Sequence, residues 1–474
     1  MAAIVALERL SEIAVESQAV VLSFGDGAFG ALGLQGDGIL DDAYSPTPVN
    51  GLPPDTISVA AGHYHSFAIT KGGRLWAWGR DKEGQLGRGV RSDANTEELV
   101  SATGDANSLK FSRGHRDSAA PVSSSLPHPV SGLEGVHVAS AAGSGVASFA
   151  VGNDGSLWAW GSSRRGQLGL GSDTLDSPTP QRVTALEKET VVEVACGWGH
   201  AVARTADGAV FAWGYGANCR LGFDVETPKP QTPAPVTQTL SVDEAVEAEI
   251  MGERHMPIQW EPRRVEALAD VRAVQVACGM DHTLVLSDHG CLYTYGDNTN
   301  GQLGRDSQLN GRRSALVRGA LQPLFVCHVA AGLSHSLAIA RPRGDHLQGE
   351  ESLGPSQLYS WGWNASGQLG RDAEDDVSAG SPGEVLLPDD DVIPVMAAAG
   401  RAHSVAVGDV TEGFRECYGW GSGRNGRHGL EHTSDVSEPE PLDLGRDLVV
   451  KQVACGFDHT LLLVEGPKQS EEEG

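Results

Sequence analysis

The stretch Gly279–Gly304, GMDHTLVLSDHGCLYTYGDNTNGQLG, opens on a glycine three residues before a histidine and closes on G-Q-L-G. Two apolar runs inside it, HTLVLS and CLYTYG, flank Asp288, His289 and Gly290. Runs of this kind around a glycine turn read as the two strands of a β-hairpin. The pair His289-Gly290 suits a two-residue turn, whose central residues often need positive φ. Immediately upstream, VQVACG supplies another strand that ends at Gly279.

Both ends of the stretch recur. The aromatic-Gly element leading to G-Q-L-G begins at Phe24, Trp78, Trp160, Trp213, Tyr295, Trp361 and Trp420, seven times in all. The glycine–histidine element begins at Gly62, Gly197, Gly279, Gly332, Gly400 and Gly456, and GSGV at Gly143 is a seventh, degenerate member with Val146 in place of histidine. A third element leads through proline to Val or Leu, as in SPTPVNGL from Ser45 and EPRRVEAL from Glu261. It also has seven slots, one of them filled without proline by RRSALVRGAL. The glycines of the second element are 81, 54, 82, 53, 68 and 56 residues apart, so the basic period is near 53. Three elements agreeing on one count mark a repeat array rather than several unrelated domains.

Each unit then supplies four short antiparallel strands: one before the glycine–histidine turn, two in the hairpin, and a fourth in the proline stretch, where proline suits an edge. Turns equivalent to His289-Gly290 are Gly72-Gly73, Asp154-Gly155 and Asp207-Gly208. One such blade cannot bury both its faces, but a ring of them can. The predicted fold is all-β, a seven-bladed propeller over residues 18–465. Residues 18–24 and Pro46–Val49 read as third and fourth strands, while VVKQVACG and HTLLLV near the C-terminus read as first and second. The two ends are expected to share one blade and so leave no open sheet edge. Residues 1–17 form an N-terminal extension, read as a short amphipathic helix, and 466–474 an acidic tail. Three insertions interrupt the period, at 90–125, 224–260 and 341–357. The first two break the link between third and fourth strands, and are expected on the face that carries the glycine–histidine turns. The third breaks the hairpin and belongs opposite.

Composition narrows the function. The chain has 474 residues, 61 glycines and a net charge of −27, with no run of Lys and Arg. Broad attraction to nucleic acid or anionic membrane is disfavoured, because both depend on clustered positive charge. No apolar stretch approaches the ~20 residues of a membrane span. Seven cysteines are scattered singly without C-x-x-C, which argues for a reduced, intracellular chain with no zinc site. No phosphate loop, nucleophile elbow or H-E-x-x-H is present. No catalytic residue, metal or cofactor is therefore expected, and a monomer is.

The repeat resembles that of the regulator of chromosome condensation family, whose units run V-A-C-G-x-x-H-T, then D-G-x-V-Y-x-W-G, then G-Q-L-G. The resemblance covers about residues 18–465. It implies the propeller, but it specifies no single function, because the repeat encodes the blade. Family roles include nucleotide exchange on small GTPases, chromatin docking, UV-B sensing in plants and adaptor work within larger enzymes.

Residues that follow the repeat are read as structural. His65, His200, His282, His335, His403 and His459 occupy equivalent positions in separate blades, where a ring nitrogen bonding a neighbouring strand or loop accounts for them. Trp78, Trp160, Trp213, Trp361 and Trp420 are read as core or inter-blade packing. Residues that depart from the repeat are the candidates for binding a partner. After the glycine come His63, Ser144, Trp198, Met280, Leu333, Arg401 and Phe457, and one place further on lie Asp281 and Asp458. Acidic and histidine side chains on that face contact the GTPase in exchange-factor relatives, so the resemblance marks Asp281 and Asp458, though an Asp can also cap its own turn. Trp198 and Arg401 complete the candidate set. Only one unit has tryptophan at the Trp198 position, so the tryptophan cluster of the UV-B receptor is not expected. Neither long insertion reads as the β-wedge of the exchange factors. The acidic cluster Asp372, Glu374–Asp376 and Asp389–Asp391 reads as a solvated loop, or a contact for a basic surface. These features describe a protein-interaction propeller and a candidate exchange factor or regulator of a small GTPase. The alternatives are a scaffold in ubiquitin or trafficking complexes and, less favoured, a UV-B sensor.

Overall fold

The computed structural model describes residues 19–34, 41–89, 124–226, 256–305, 314–343, 354–373, 375–389, 391–410, 414–445 and 448–466. Within them the chain forms seven four-stranded antiparallel sheets. Their first strands, Thr56–Ala61, Val138–Gly143, Val191–Cys196, Ala273–Cys278, Leu324–Ala331, Ile393–Ala399 and Val449–Cys455, define blades 1 to 7. Each first strand touches the first strand of the next blade, around to blade 7 against blade 1. First strands therefore line the axis, and fourth strands lie outermost.

Blade 7 is built from both ends of the chain. Its order is Ala43–Pro48, Ala19–Gly25, His459–Glu465, Val449–Cys455. Ala19 pairs with Glu465, and the ladder runs unbroken to Gly25 with His459. The terminal strands meet as expected.

Hydrophobic cores lie between blades rather than within one. Phe67, Ile69 and Leu75 of blade 1 pack on Val138, Ala150 and Trp160 of blade 2. Across the closure, Val21, Leu461 and Leu463 pack on Val59, Ala68 and Trp78. The five repeat tryptophans are fully buried in these layers, and burial of so large a side chain is a leading favourable term in a blade contact.

The hairpin turns differ from the expectation in length. Ser287 N–H donates to Cys291 O and Gly290 N–H to Ser287 O, so three residues turn, not two. The same holds at Thr70–Arg74. Gly73, Gly155, Gly208 and Gly290 have φ of 66–89°, and the residue before each does not enter that region. A type I turn followed by one left-handed glycine has this signature, whereas a two-residue turn of type I′ needs two positive φ values.

Every first strand carries a β-bulge one to three residues after it begins. Pairing skips Ile57, Ala139, Val192, Val274, Cys327, Val395 and Lys451, one residue in each of the seven blades.

The fourth strand of blade 3, Ile258–Arg264, takes in the end of the 224–260 insertion. Ser124 and Ser125 at the end of the 90–125 insertion are buried. Arg341–Pro342 and Gln357 belong to strands of blade 5. The remaining insertion residues 90–123, 227–255 and 344–353 lie outside the described residues, as do 1–18, 467–474, Glu374 and Asp390. No helix among the described residues is long and apolar enough to cross a membrane.

Candidate functional site

One face of the ring, the loop face, holds the glycine–histidine turns and the aromatic-Gly-to-G-Q-L-G loops. Its foundation is a hydrogen-bond unit repeated between blades. His335 Nε2 lies 2.9 Å from Ser404 Oγ of the next blade, and Ser404 donates to Gln368 O at 2.8 Å. Trp420 Nε1 donates to the same carbonyl at 2.9 Å. His65, His200, His282, His403 and His459 reach Ser148, Thr283, Ser336, Thr460 and Ser66 in the same way. Each hydroxyl spends its one hydrogen on a carbonyl, so each imidazole donates from Nε2 and is neutral. Burial supports this state, holding His65, His282 and His335 down to about 3 and His459 to about 4. Metal binding and acid–base work are poor assignments for these rings. Among the described residues no group of three or more His, Cys, Asp or Glu could hold a metal.

Glycine begins the turn for a steric reason. A Cβ on Gly279 would lie 2.0 Å from the His282 ring and 2.4 Å from Gly332 O of the next blade. The ring occupies the space a side chain would need.

Blade 2 departs from the repeat, by one residue more than the sequence spacing suggests. Ala147 pairs with Gly161 as His65 pairs with Gly79, so Ala147, not Val146, replaces the histidine. The hydroxyl that a histidine there would need is absent too: Ala201 stands in blade 3 where Thr283 stands in blade 4. It follows that Gly145, not Ser144, occupies the position after the turn glycine. Its Cβ would fall 3.3 Å from His63 Nδ1 and 3.5 Å from Trp198.

That missing side chain lets blade 3 reach blade 1 across blade 2. His63 stacks on Phe457 at 3.7 Å between centroids. Trp198 lies nearly parallel to both, 5.8 Å from His63 and 6.2 Å from Phe457. His63 is buried and held down to about 3, chiefly by that burial. Around these rings run backbone bonds from Trp198 to Met280, Met280 to Leu333, Arg401 to Phe457 and Phe457 to His63. The result is a fixed aromatic patch at the loop-face mouth of the axis, with Trp198, Met280 and Leu333 half-buried at its surface.

Arginines frame the patch. Arg401 sits 5.4 Å from the Phe457 ring. Arg80 lies 5.5 Å from both Phe29 and Tyr64, and Arg165 and Arg220 lie 5.4 and 4.8 Å from Tyr215. Guanidinium over aromatic is favourable, and Arg80, Arg220 and Arg401 are also ion-paired with Glu83, Asp281 and Asp458.

Asp281 and Asp458 do not turn back on their own loops. Asp281 pairs with Arg220 of blade 3. Asp458 forms ion pairs with Arg401 at 2.7 Å and Arg427 at 2.9 Å, both of blade 6. Arg220 and Arg427 occupy the glutamine position of G-Q-L-G, and both are buried. Wherever that glutamine becomes arginine, the next unit carries Asp before its histidine. This correlation between adjacent units was present in the sequence and explains both aspartates structurally. Of the candidate set, the fold brings Arg401, Asp458 and Trp198 to the axis mouth around Phe457; Asp281 sits with Arg220 instead. His63 and Phe457 are the residues that complete the patch, and only the register in blade 2 brings them together with Trp198.

A family model for the RCC1-like domain matches residues 20–462. The ultraviolet-B receptor UVR8 of Arabidopsis thaliana is 29% identical over 421 residues, 83% of each chain. The secretion-regulating guanine nucleotide exchange factor of Bos taurus is 26% identical across 97% of this chain and 86% of its own. The human ubiquitin-protein ligase HERC2 is 28% identical, but the match takes in only 7% of that protein. Among solved structures, Prp20p of Saccharomyces cerevisiae, described with its binding to Gsp1p and histones, is similar with a TM-score of 0.68 at 22% identity, covering 96% of this chain and 93% of its own. Human WBSCR16 also scores 0.68, at 19% identity, over 95% of this chain and all of its own. These two likenesses are of fold.

Proposed function

The chain belongs to the RCC1-like domain family, and from that membership we propose a protein-binding propeller whose loop face engages a small GTPase and speeds release of its guanine nucleotide. The observation that carries the proposal is the patch of His63, Trp198 and Phe457 framed by Arg401. Rigid aromatics beside arginine are the side chains that dominate protein interfaces. Exchange of this kind needs no covalent step. The propeller has only to bind the nucleotide-free GTPase better than the loaded form, which shifts the population toward release. Similarity to an exchange factor across nearly the whole chain supports this reading.

The test is stimulated release of labelled GDP from a panel of small GTPases. Stimulation is expected with at least one member. Trp198→Ala and Arg401→Ala should each weaken it by about 30-fold, the scale of a hot-spot residue. Silence across the panel would contradict exchange. Such silence beside a stable partner in a pull-down would favour the second reading, a scaffold or adaptor in ubiquitin or trafficking complexes. That reading is favoured by the engagement of Asp281 and Asp458 with internal arginines rather than outward. A dimer that splits under UV-B would instead favour a sensor, although the turn positions bear one tryptophan, Trp198.

A further inference from the structure

Asparagine is followed by glycine at Asn50, Asn300, Asn310 and Asn425. Asn310 and Gly311 lie outside the described residues. Such a pair can lose the side-chain amide without a catalyst. The glycine nitrogen attacks the asparagine Cγ, a C–N bond forms, and the side-chain nitrogen leaves as ammonia. The five-membered succinimide then takes up water at either of its two carbonyls and opens to aspartate or isoaspartate. Glycine favours the attack because it has no side chain to block the nitrogen and lets the backbone turn freely. A nitrogen whose hydrogen is already engaged cannot attack until that bond opens.

The fold treats the three described pairs differently. Gly301 N–H donates to Asn298 O at 3.1 Å, and Gly426 N–H to Gly423 O at 3.0 Å. Both glycines sit inside the loops of the loop face. Asn425 is tied further, its Nδ2 donating to Asp26 at 2.6 Å. Asn50 and Gly51 lie instead in the turn that follows the fourth strand of blade 7. Among the described residues Gly51 N–H has no acceptor, and the Asn50 side chain has no hydrogen-bond partner. Both residues are exposed, and a Cβ on Gly51 would meet nothing within 4 Å. The turn nevertheless sits at the ring's seam. Asn50 N–H donates to Gly33 O at 3.1 Å. Val49 before it and Leu52 after it both pack on the closure layer of Val21, Val59 and Trp78.

We propose that Asn50 is a site of spontaneous deamidation, and that the isoaspartate formed there loosens the seam between blades 7 and 1. Isoaspartate carries the chain through its side-chain carbonyl. It therefore inserts an extra backbone carbon between Val49 and Leu52 and adds a carboxylate charge to the turn. The experiment incubates the full chain at mildly alkaline pH, folded and in guanidinium chloride, and follows the Asn50, Asn300 and Asn425 peptides by mass. Each pair is compared with itself in the two states. Folding should slow Asn300 and Asn425 roughly fivefold or more, because one backbone hydrogen bond must first be released. Asn50 should stay within about twofold of its unfolded rate, since its turn needs no such opening. Asn50 slowed as strongly as the other two would overturn the site. After the same incubation the natural chain should lose about 2 °C or more of unfolding midpoint, while Asn50→Gln keeps its own. Equal losses in the two proteins would overturn the effect on the seam.

Discussion

His335 shows what a repeat histidine does in this protein. Its Nδ1 has no partner and its Nε2 donates to Ser404, so a second proton would place an unmatched charge in a buried layer. The ring is held down to about 3 in the fold, against an ordinary value of 6.5. Between those values the unfolded chain takes up a proton that the folded chain refuses. The stabilising contribution is therefore complete above about pH 6.5 and is lost as pH falls toward 3. His65, His282 and His459 behave alike. Urea midpoints should be level above about pH 7 and then fall steeply, each histidine adding about 1.4 kcal/mol per pH unit within the window. A midpoint unchanged between about pH 7 and pH 5 would contradict the neutral-imidazole assignment. The structural role of these rings was legible from their regular spacing. Their partners were not, because the hydroxyl belongs to the next unit and was hidden until blades were placed side by side.

Pairs of neighbouring units explain what single units leave obscure. Arg220 is buried, and Asp281 is its counter-charge. Removing Asp281 leaves an uncompensated cation, and Asp281→Ala is expected to cost about 3 kcal/mol. The double variant Arg220→Gln, Asp281→Ser copies the arrangement at Gln302 and Ser334 and should recover most of that loss. Denaturation of Arg220→Gln, Asp281→Ser and the double gives the coupling directly, and additive losses would show that the pair is not a unit. Strand order and blade boundaries were readable from three recurring elements. Turn length was not, since a glycine of positive φ serves both a two-residue and a three-residue hairpin. Nor was blade 2, where Gly143 mimics the turn glycine and only the pairing of Ala147 with Gly161 corrects it.

At the scale of the whole molecule, one architecture presents two different faces. The loop face carries aromatics and arginines, and the hairpin face the seven bulge residues of the first strands. Both depend on a closed circle, because every blade buries its surfaces on two neighbours. Closure was legible because the N-terminal strands lack a first and second partner, while the C-terminal strands lack a third and fourth. The loop-face patch was not legible, because it unites three turns from blades 1, 3 and 7 through a gap in a fourth. The closing ladder offers the most direct test. Ala19 and Glu465 are cross-strand partners, within the Cα separation a disulfide accepts. Ala19→Cys with Glu465→Cys should form that disulfide under mild oxidation, shown by peptide mapping, and raise the unfolding midpoint, because it closes a very long loop in the unfolded chain. Failure of the two cysteines to join in the folded protein would show that the ends do not share a blade.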